Sequence, residues 1–236
     1  MKLKYHRVLL KLSGEVLQGG RDGGIDFKTV RALCREVAEV KKLGVEIAIV
    51  IGGGNIWRYR DFKDSGLDRV TSDYMGMLAT IMNSMALQDQ FAKLGIGAPI
   101  GSAINMPIVV GTYLRPKALD YLRKGKVLIC AGGTGNPYFT TDTAGVLRAM
   151  ELECDIMLKA TKVDYVYDKD PMKHKDAKKF TTLSYHEVLT RELQVMDLAA
   201  VSLAMEKKLP IMVFNLHKKG NIAKVVKGEQ VGTLIN

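Results

Sequence analysis

One stretch limits the possible folds more than any other. Between Lys126 and Asp142 the apolar run Val127-Leu128-Ile129-Cys130-Ala131 ends in Gly132, Gly133 and Gly135, and a helical pattern opens at Thr143. An apolar run closed by glycines reads as a buried strand, and strand–loop–helix is the repeating unit of a parallel α/β sheet. Such a loop presents free backbone N–H groups at the carboxyl end of the sheet, where anions bind. Glycine also lets the backbone lie close to a ligand, because no Cβ stands between them. Thr134, Thr140 and Thr141 add neutral donors. An ordinary βα turn with Thr141 or Asp142 as helix N-cap accounts for the same residues without a ligand.

Two other strand ends repeat the pattern. Val45 to Ile51 is a strand, apolar but for Glu46 at its start, as expected in a doubly covered parallel sheet, and it runs into Gly52-Gly53-Gly54-Asn55 with Trp57 and Arg58 beyond. Three successive glycines cost roughly 1 kcal/mol each against alanine, which makes sense where the backbone must lie against something bulky. Arg58 then suits a bidentate clamp on phosphate, although a lone arginine after a turn is more often a surface residue. Tyr5 to Leu12 reads as the first strand, closed by Lys11-Leu12-Ser13-Gly14. Taken alone, Lys11 is a strand-end lysine reaching for water. Gly19-Gly20-Arg21-Asp22-Gly23-Gly24 is a loop, and Asp26 caps a helix to about Leu43.

Further along, a helix is expected from Arg69 to Leu94 with Tyr74, Met77, Leu78, Ile81 and Met85 in an apolar stripe. Asp73 in its first turn either complements the helix dipole or accepts from a ribose, and the residues alone favour the dipole. Short strands are expected at Ala98–Ala103 and Ile108–Val110, then helices from Pro116 at N1 and from Thr143 to Glu153. A strand over Asp155–Ala160 leads into Thr161-Lys162-Val163-Asp164 and Tyr165 to Pro171. That segment can hold a purine and a triphosphate, or be a solvated lysine-rich loop. Ser184 to Glu187 is a capping box, Asp197 an N-cap, Pro210–Asn215 a strand and Gly232–Ile235 an edge strand.

A chain of 236 residues fits one α/β domain, and 47% apolar with 25% charged residues excludes disorder. The net charge of +10 suits polyanionic partners without choosing among nucleotides, nucleic acid and membrane surface. Cys34, Cys130 and Cys154 lack metal spacing and read as buried reduced thiols of a cytoplasmic protein. Lys11 interrupts the apolar run of the first twelve residues, so a signal peptide is not expected. Glycines and prolines break the uncharged stretch from Leu94 to Leu114 as a membrane span. The four histidines are scattered, and no metal cluster, Ser/His/Asp set or paired catalytic carboxylates follow from spacing. No Gly-x-x-x-x-Gly-Lys-Ser/Thr and no protein-kinase signature occur, and the triple glycine lacks dinucleotide-fold spacing. Three glycine-containing loops suggest two phosphorylated ligands meeting head to head.

These motifs resemble a known family. Lys11-Leu12-Ser13-Gly14, Ile51 to Asn55, Thr134 to Asp142, Ala160 to Asp164 and Val195 to Ala200 are similar to those of bacterial-type uridylate (UMP) kinases, in the amino acid kinase superfamily. The resemblance covers about Tyr5 to Ile235, and its third and fifth blocks are the most specific. It implies an α/β three-layer αβα sandwich with a mainly parallel sheet, an acceptor lobe over about 1–155 and an ATP lobe over about 156–236. It also implies a homohexamer catalysing ATP + UMP → ADP + UDP, with Mg²⁺ arriving as the ATP complex. Carried over by motif, Lys11, Arg58 and Asp197 are catalytic, Asp197 as the acid that orients Lys11. Lys11, Leu12, Ser13, Gly14, Gly54, Arg58, Thr161, Tyr167 and Asp170 match the ATP side. Gly53, Asp73, Thr134, Gly135, Asn136, Pro137, Tyr138, Phe139, Thr140 and Thr141 match the UMP side. Gly19, Gly20, Arg21, Asp22, Gly23 and Gly24 resemble a regulatory loop, with GTP as activator and UTP as inhibitor.

Two other readings compete. A kinase of the same superfamily acting on a carboxylate, carbamate or isopentenyl phosphate is opposed by the Thr134–Thr141 block. A nucleic-acid binder or nucleotide-sensing regulator is opposed by the lack of a binding motif and by lysines interleaved with Asp170 and Asp176.

Overall fold

The apolar runs of the sequence become neighbours in one sheet. A computed structural model describes residues 2–58, 61, 65–169, 171, 173–174, 176–193 and 195–236. In chain order it contains β1 (Arg7–Leu12), α1 (Phe27–Lys41), β2 (Glu46–Ile51), α2 (Arg69–Ala92), β3 (Ile100–Ser102), β4 (Gly111–Thr112), α3 (Arg115–Arg123), β5 (Leu128–Ala131) and α4 (Thr141–Glu151). There follow β6 (Ile156–Thr161), β7 (Val166–Tyr167), β8 (Lys179–Phe180), β9 (Thr182–Leu183), α5 (Tyr185–Thr190), α6 (Leu198–Lys207), β10 (Ile211–Asn215), α7 (Asn221–Val226) and β11 (Gly232–Ile235). Nine strands form the main sheet in the order β4-β3-β5-β2-β1-β6-β10-β11-β9, and β7 and β8 pair separately.

Every neighbouring pair in the main sheet is parallel except β10 with β11. Parallel strands need crossover helices, and these cover both faces. Val8, Leu10 and Leu12 enter one core with Val30, Leu33 and Val37 of α1 and Leu87 and Phe91 of α2. Leu9 enters the other with Leu119 of α3, Val146 of α4 and Val201 of α6. Burial on both faces explains why the central strands read as unbroken apolar runs. Lys11 and Lys159 are therefore conspicuous, because each puts a charge on the α4 face of the sheet.

Local hydrogen bonding moves several boundaries from their expected places. β1 begins at Arg7 rather than Tyr5, with the Asp155 carboxylate accepting from the N–H groups of His6 and Arg7. The strand expected at Ile108–Val110 is a turn in which Met106 O accepts from Val109 and Val110, and pairing starts at Gly111. Leu114 is the N-cap of α3, so Pro116 falls at N2. α4 starts at Thr141 because Thr140 is its N-cap, accepting from Asp142 and Thr143 N–H. Glu153, at φ 56°, lies two residues past the end of that helix. β11 is not an edge strand, since β9 lies outside it. No helix among the described residues is long and apolar enough to cross a membrane.

The bend after β2 is pressed against α2. A Cβ on Gly53 would lie 2.6 Å from Gly76 O and 2.8 Å from the Ala79 Cβ. Gly53→Ala is expected to lower stability by about 1–3 kcal/mol through overpacking. Urea unfolding checks this, and an unchanged midpoint would contradict the close approach.

Candidate active site

Parallel strands bring their carboxyl ends to one edge, and the glycine bends after β1 and β2 meet there. A Cβ on Gly14 would lie 2.4 Å from Asn55 Oδ1, 2.6 Å from Gly52 O and 2.8 Å from Gly54 N. Only a bare backbone permits this approach. The two bends and the start of α4 border a cleft of about 690 Å³, lined by Lys11, Ser13, Gly14, Gly52, Gly53, Gly54, Arg58, Asp73, Gly133, Thr134 and Phe139 to Asp142, among others.

Three charges meet at its base, Lys11 and Asp142 lining the cleft and Lys159 buried behind them. Lys11 and Lys159 are register partners across β1 and β6. Asp142, in the first turn of α4, places Oδ1 2.7 Å from Lys11 Nζ and accepts a hydrogen bond from Lys159 Nζ at Oδ2. The Lys11 contact is an ion pair whose angle falls short of an aligned hydrogen bond. Burial would raise the Asp142 carboxyl, but the charges of Lys11 and Lys159 outweigh it and hold the group below its usual range. Burial, reinforced by the Lys11 charge, pushes Lys159 down to about 8.

The structure places Asp142, not Asp197, against Lys11. Asp197 caps α6 by accepting from Ala200 N–H at 2.9 Å. It also accepts from Thr143 Oγ1 at 2.8 Å and from Thr140 Oγ1. Its position thus ties the start of α6 to the start of α4, the helix that carries Asp142.

At the mouth, Arg58 donates from Nε to Gly54 O and from Nη2 to Glu15 at 2.5 Å. Glu15 also receives Lys162 Nζ at 2.8 Å. At the far end, Asp73 accepts from Arg69 Nε at 2.8 and 2.9 Å and from Tyr138 N–H at 2.7 Å. Of the loop expected to grip a ligand, Thr134, Phe139, Thr140 and Thr141 line the cleft, whereas Gly135, Asn136, Pro137 and Tyr138 do not. Leu12 points into the core, leaving only its backbone at the edge.

Thr161 and Tyr167 line a second cleft of about 560 Å³ with Val163, Asp168, Lys169 and Leu193. Asp170 lies outside the described residues. Of the glycine-rich loop, Asp22, Gly23 and Gly24 border a third cleft with Glu15 and Arg58, while Gly19, Gly20 and Arg21 do not. No group of three or more His, Cys, Asp or Glu positioned to hold a metal ion occurs among the described residues. A magnesium ion brought by a polyphosphate carries most of its oxygen ligands with it and needs no such cage.

Sequence reasoning passed over Lys159, Glu15 and the ionic role of Asp142. A signal for Lys159 was present: a lone lysine inside the otherwise apolar Ile156-Met157-Leu158-Lys159-Ala160.

Two neighbouring glycine bends, a lysine at the strand end and an acid at the next helix start define a phosphoryl-transfer fold of the amino acid kinase type. A family model described as "Amino acid kinase family" matches residues 6–215, and the chain belongs to that family. The chain is similar to the UMP kinase of Bacillus anthracis, with 38% identity, a TM-score of 0.96 and coverage of 98% of this chain and 96% of that one. It is also similar to the UMP kinase of Ureaplasma parvum (34% identity, TM-score 0.93, 99% of each chain). The uridylate kinase of Archaeoglobus fulgidus matches at 28% identity and a TM-score of 0.75, over 97% and 99% of the two chains. Within its family the chain groups with the UMP kinases.

Asp142→Asn leaves two adjacent buried cations uncompensated and is expected to destabilise the fold by on the order of 3 kcal/mol. Because the Asp142 carboxyl is held below the ordinary value of 3.8, its contribution is full above that pH and is lost as pH falls through the lowered value. The gap between wild type and variant, measured by urea unfolding from pH 7 to pH 3, should stay constant down to about pH 4 and begin to narrow only below it.

Proposed function

We propose that this chain transfers the γ-phosphoryl group of ATP to UMP, yielding ADP and UDP. The observation that carries the reading is the meeting of Lys11 with the bends at Gly14 and Gly52–Gly54 along one cleft. The structural resemblance to UMP kinases over nearly all of both chains supports the choice of acceptor.

The attacking group is a phosphate monoester oxygen with a second pKa near ~6, so at neutral pH it is already mostly ionised. No general base is required, and the work left is alignment and neutralisation of charge on the equatorial oxygens. Lys11 spans the donor and acceptor phosphates, and Ser13 and Gly14 offer donors to the transferring group. Gly54 and Arg58 stabilise it from the opposite side, where Arg58 exchanges its contact with Glu15 for phosphate. Mg²⁺ enters as part of the ATP substrate. Asp197 acts on Lys11 at one remove, by fixing Thr140, Thr143 and hence Asp142.

The acceptor lobe, about 1–155, holds UMP with Gly53, Asp73, Thr134, Phe139, Thr140 and Thr141. Gly135 to Tyr138 shape that loop. The ATP lobe, about 156–236, holds the nucleotide at the second cleft through Thr161 and Tyr167, with Asp170 assigned by motif alone. Three buried free thiols suit a cytoplasmic setting. Two features support regulation and assembly as a homohexamer. The loop Asp22–Gly24 borders Glu15 and Arg58, and α2 exposes Tyr74, Leu78, Met82 and Met85 without a partner in this chain. GTP as activator and UTP as inhibitor belong to the same reading.

Lys11→Ala is expected to lower kcat at least ~10²-fold, the scale of losing one preorganised donor. A coupled ADP-release assay with UMP, CMP, dUMP and AMP checks both this and the acceptor. Near-normal turnover by a folded variant, or equal use of AMP, would overturn the reading. Sedimentation of the full chain, with the assay repeated across a GTP titration, tests the rest; a monomer or a flat rate would remove the corresponding part.

A further inference from the structure

β6 carries a single charge through an otherwise buried strand. Lys159 is 7% exposed and does not line the transfer cleft, yet its ammonium contacts the same carboxylate as Lys11. The two lysines are register partners on adjacent strands, so their stems leave one face of the sheet side by side. Like charges so placed repel. A methionine there would fill similar space without burying an ammonium, which is costly unless compensated. The charge at this position therefore requires a reason beyond packing. The groups facing Lys159 supply one: Lys11 from β1, Asp142 from α4 and Asp197 from the start of α6. Two cations share Asp142, and with Asp197 nearby the cluster is balanced only when both lysines are protonated.

We propose that Lys159 is a positioning residue for phosphoryl transfer: by occupying one oxygen of Asp142 it turns the other towards Lys11, and it binds a proton when phosphates arrive in front of the pair. This rests on the phosphoryl-transfer reading above. The free protein fits such a role, because Lys159 there is pushed down to about 8 and only part of the population carries the charge at that pH. Anionic ligands beside the pair favour the protonated form. The proton comes from buffer and no covalent bond changes.

The test is Lys159→Met in the full chain. The variant should lose ~10-fold or more in kcat, within the ~10²-fold that a small misplacement of a reacting group can cost, with KM for UMP within about twofold. Wild-type kcat/KM for ATP should fall as pH rises through about 8, and that fall should be absent from the variant. Calorimetry of UMP binding at pH 8 in two buffers of different ionisation heat should show uptake of roughly half a proton by wild type and none by the variant. UMP is already fully ionised there and adds nothing to the count. A structural lysine would change the melting temperature and leave the pH limb and the proton count where they were. If Lys159→Met fails to fold, Lys159→Arg should retain turnover while losing both the limb and the uptake. Absence of proton uptake by wild type, or a variant that keeps wild-type kcat and pH profile, overturns the proposal. A wild type that takes up the proton with UMP but does not phosphorylate it overturns the reaction reading instead.

Discussion

Two lysines on adjacent strands share one carboxylate, and much of the site's geometry serves that arrangement. Neither ammonium would be tolerated in the sheet's α4-facing core without Asp142, and Asp142 is in place only because α4 lies close over β1 and β6. That closeness is visible at Gly145, where a Cβ would come within 2.9 Å of Met157 Cε and 3.3 Å of Lys11 Cγ. Thr140 starts the helix and Asp197 holds Thr140 and Thr143, so the register of α4 is secured from α6 as well. An electrostatic requirement of the floor thus becomes a packing requirement on two helices.

The same layout accounts for the choice of a parallel sheet. Each crossover returns the chain so that strand ends, bends and helix starts accumulate on one edge. There the backbone contributes N–H groups that need no reorganisation when negative charge develops. The bends at Gly14 and Gly52–Gly54 are in mutual contact, so the donors of one cannot shift without the other. In the proposed reaction, side chains add only what backbone cannot, which is the cationic groups of Lys11 and Arg58.

Much of this was legible in the residues. The apolar runs Ile47–Ile51 and Val127–Ala131 announced strands covered on both faces, and the glycines that follow them marked the edge where the cleft lies. Asp26 and Ser184 cap helices where a short polar side chain before an apolar period says they should. Less legible were features that depend on residues distant in sequence. Whether Thr140, Thr141 or Asp142 caps α4 is a local competition between neighbouring short polar side chains. The resemblance gave Lys11 the partner Asp197, and the structure seats Asp142 there instead, because the choice is made by how α4 and α6 pack. β9 and the β7–β8 pair are two residues per strand, and strands so brief leave almost no pattern in the sequence.

Asp73 lends the acceptor end a property of its own. In this structure its carboxylate accepts from the backbone N–H of Tyr138, a residue at φ 71°, and so fastens the loop after β5 to the second turn of α2. The same carboxylate accepts from Arg69 Nε through both of its oxygens. One carboxylate thus fixes a helix charge and a loop backbone together, so the far wall of the cleft is braced at a single point.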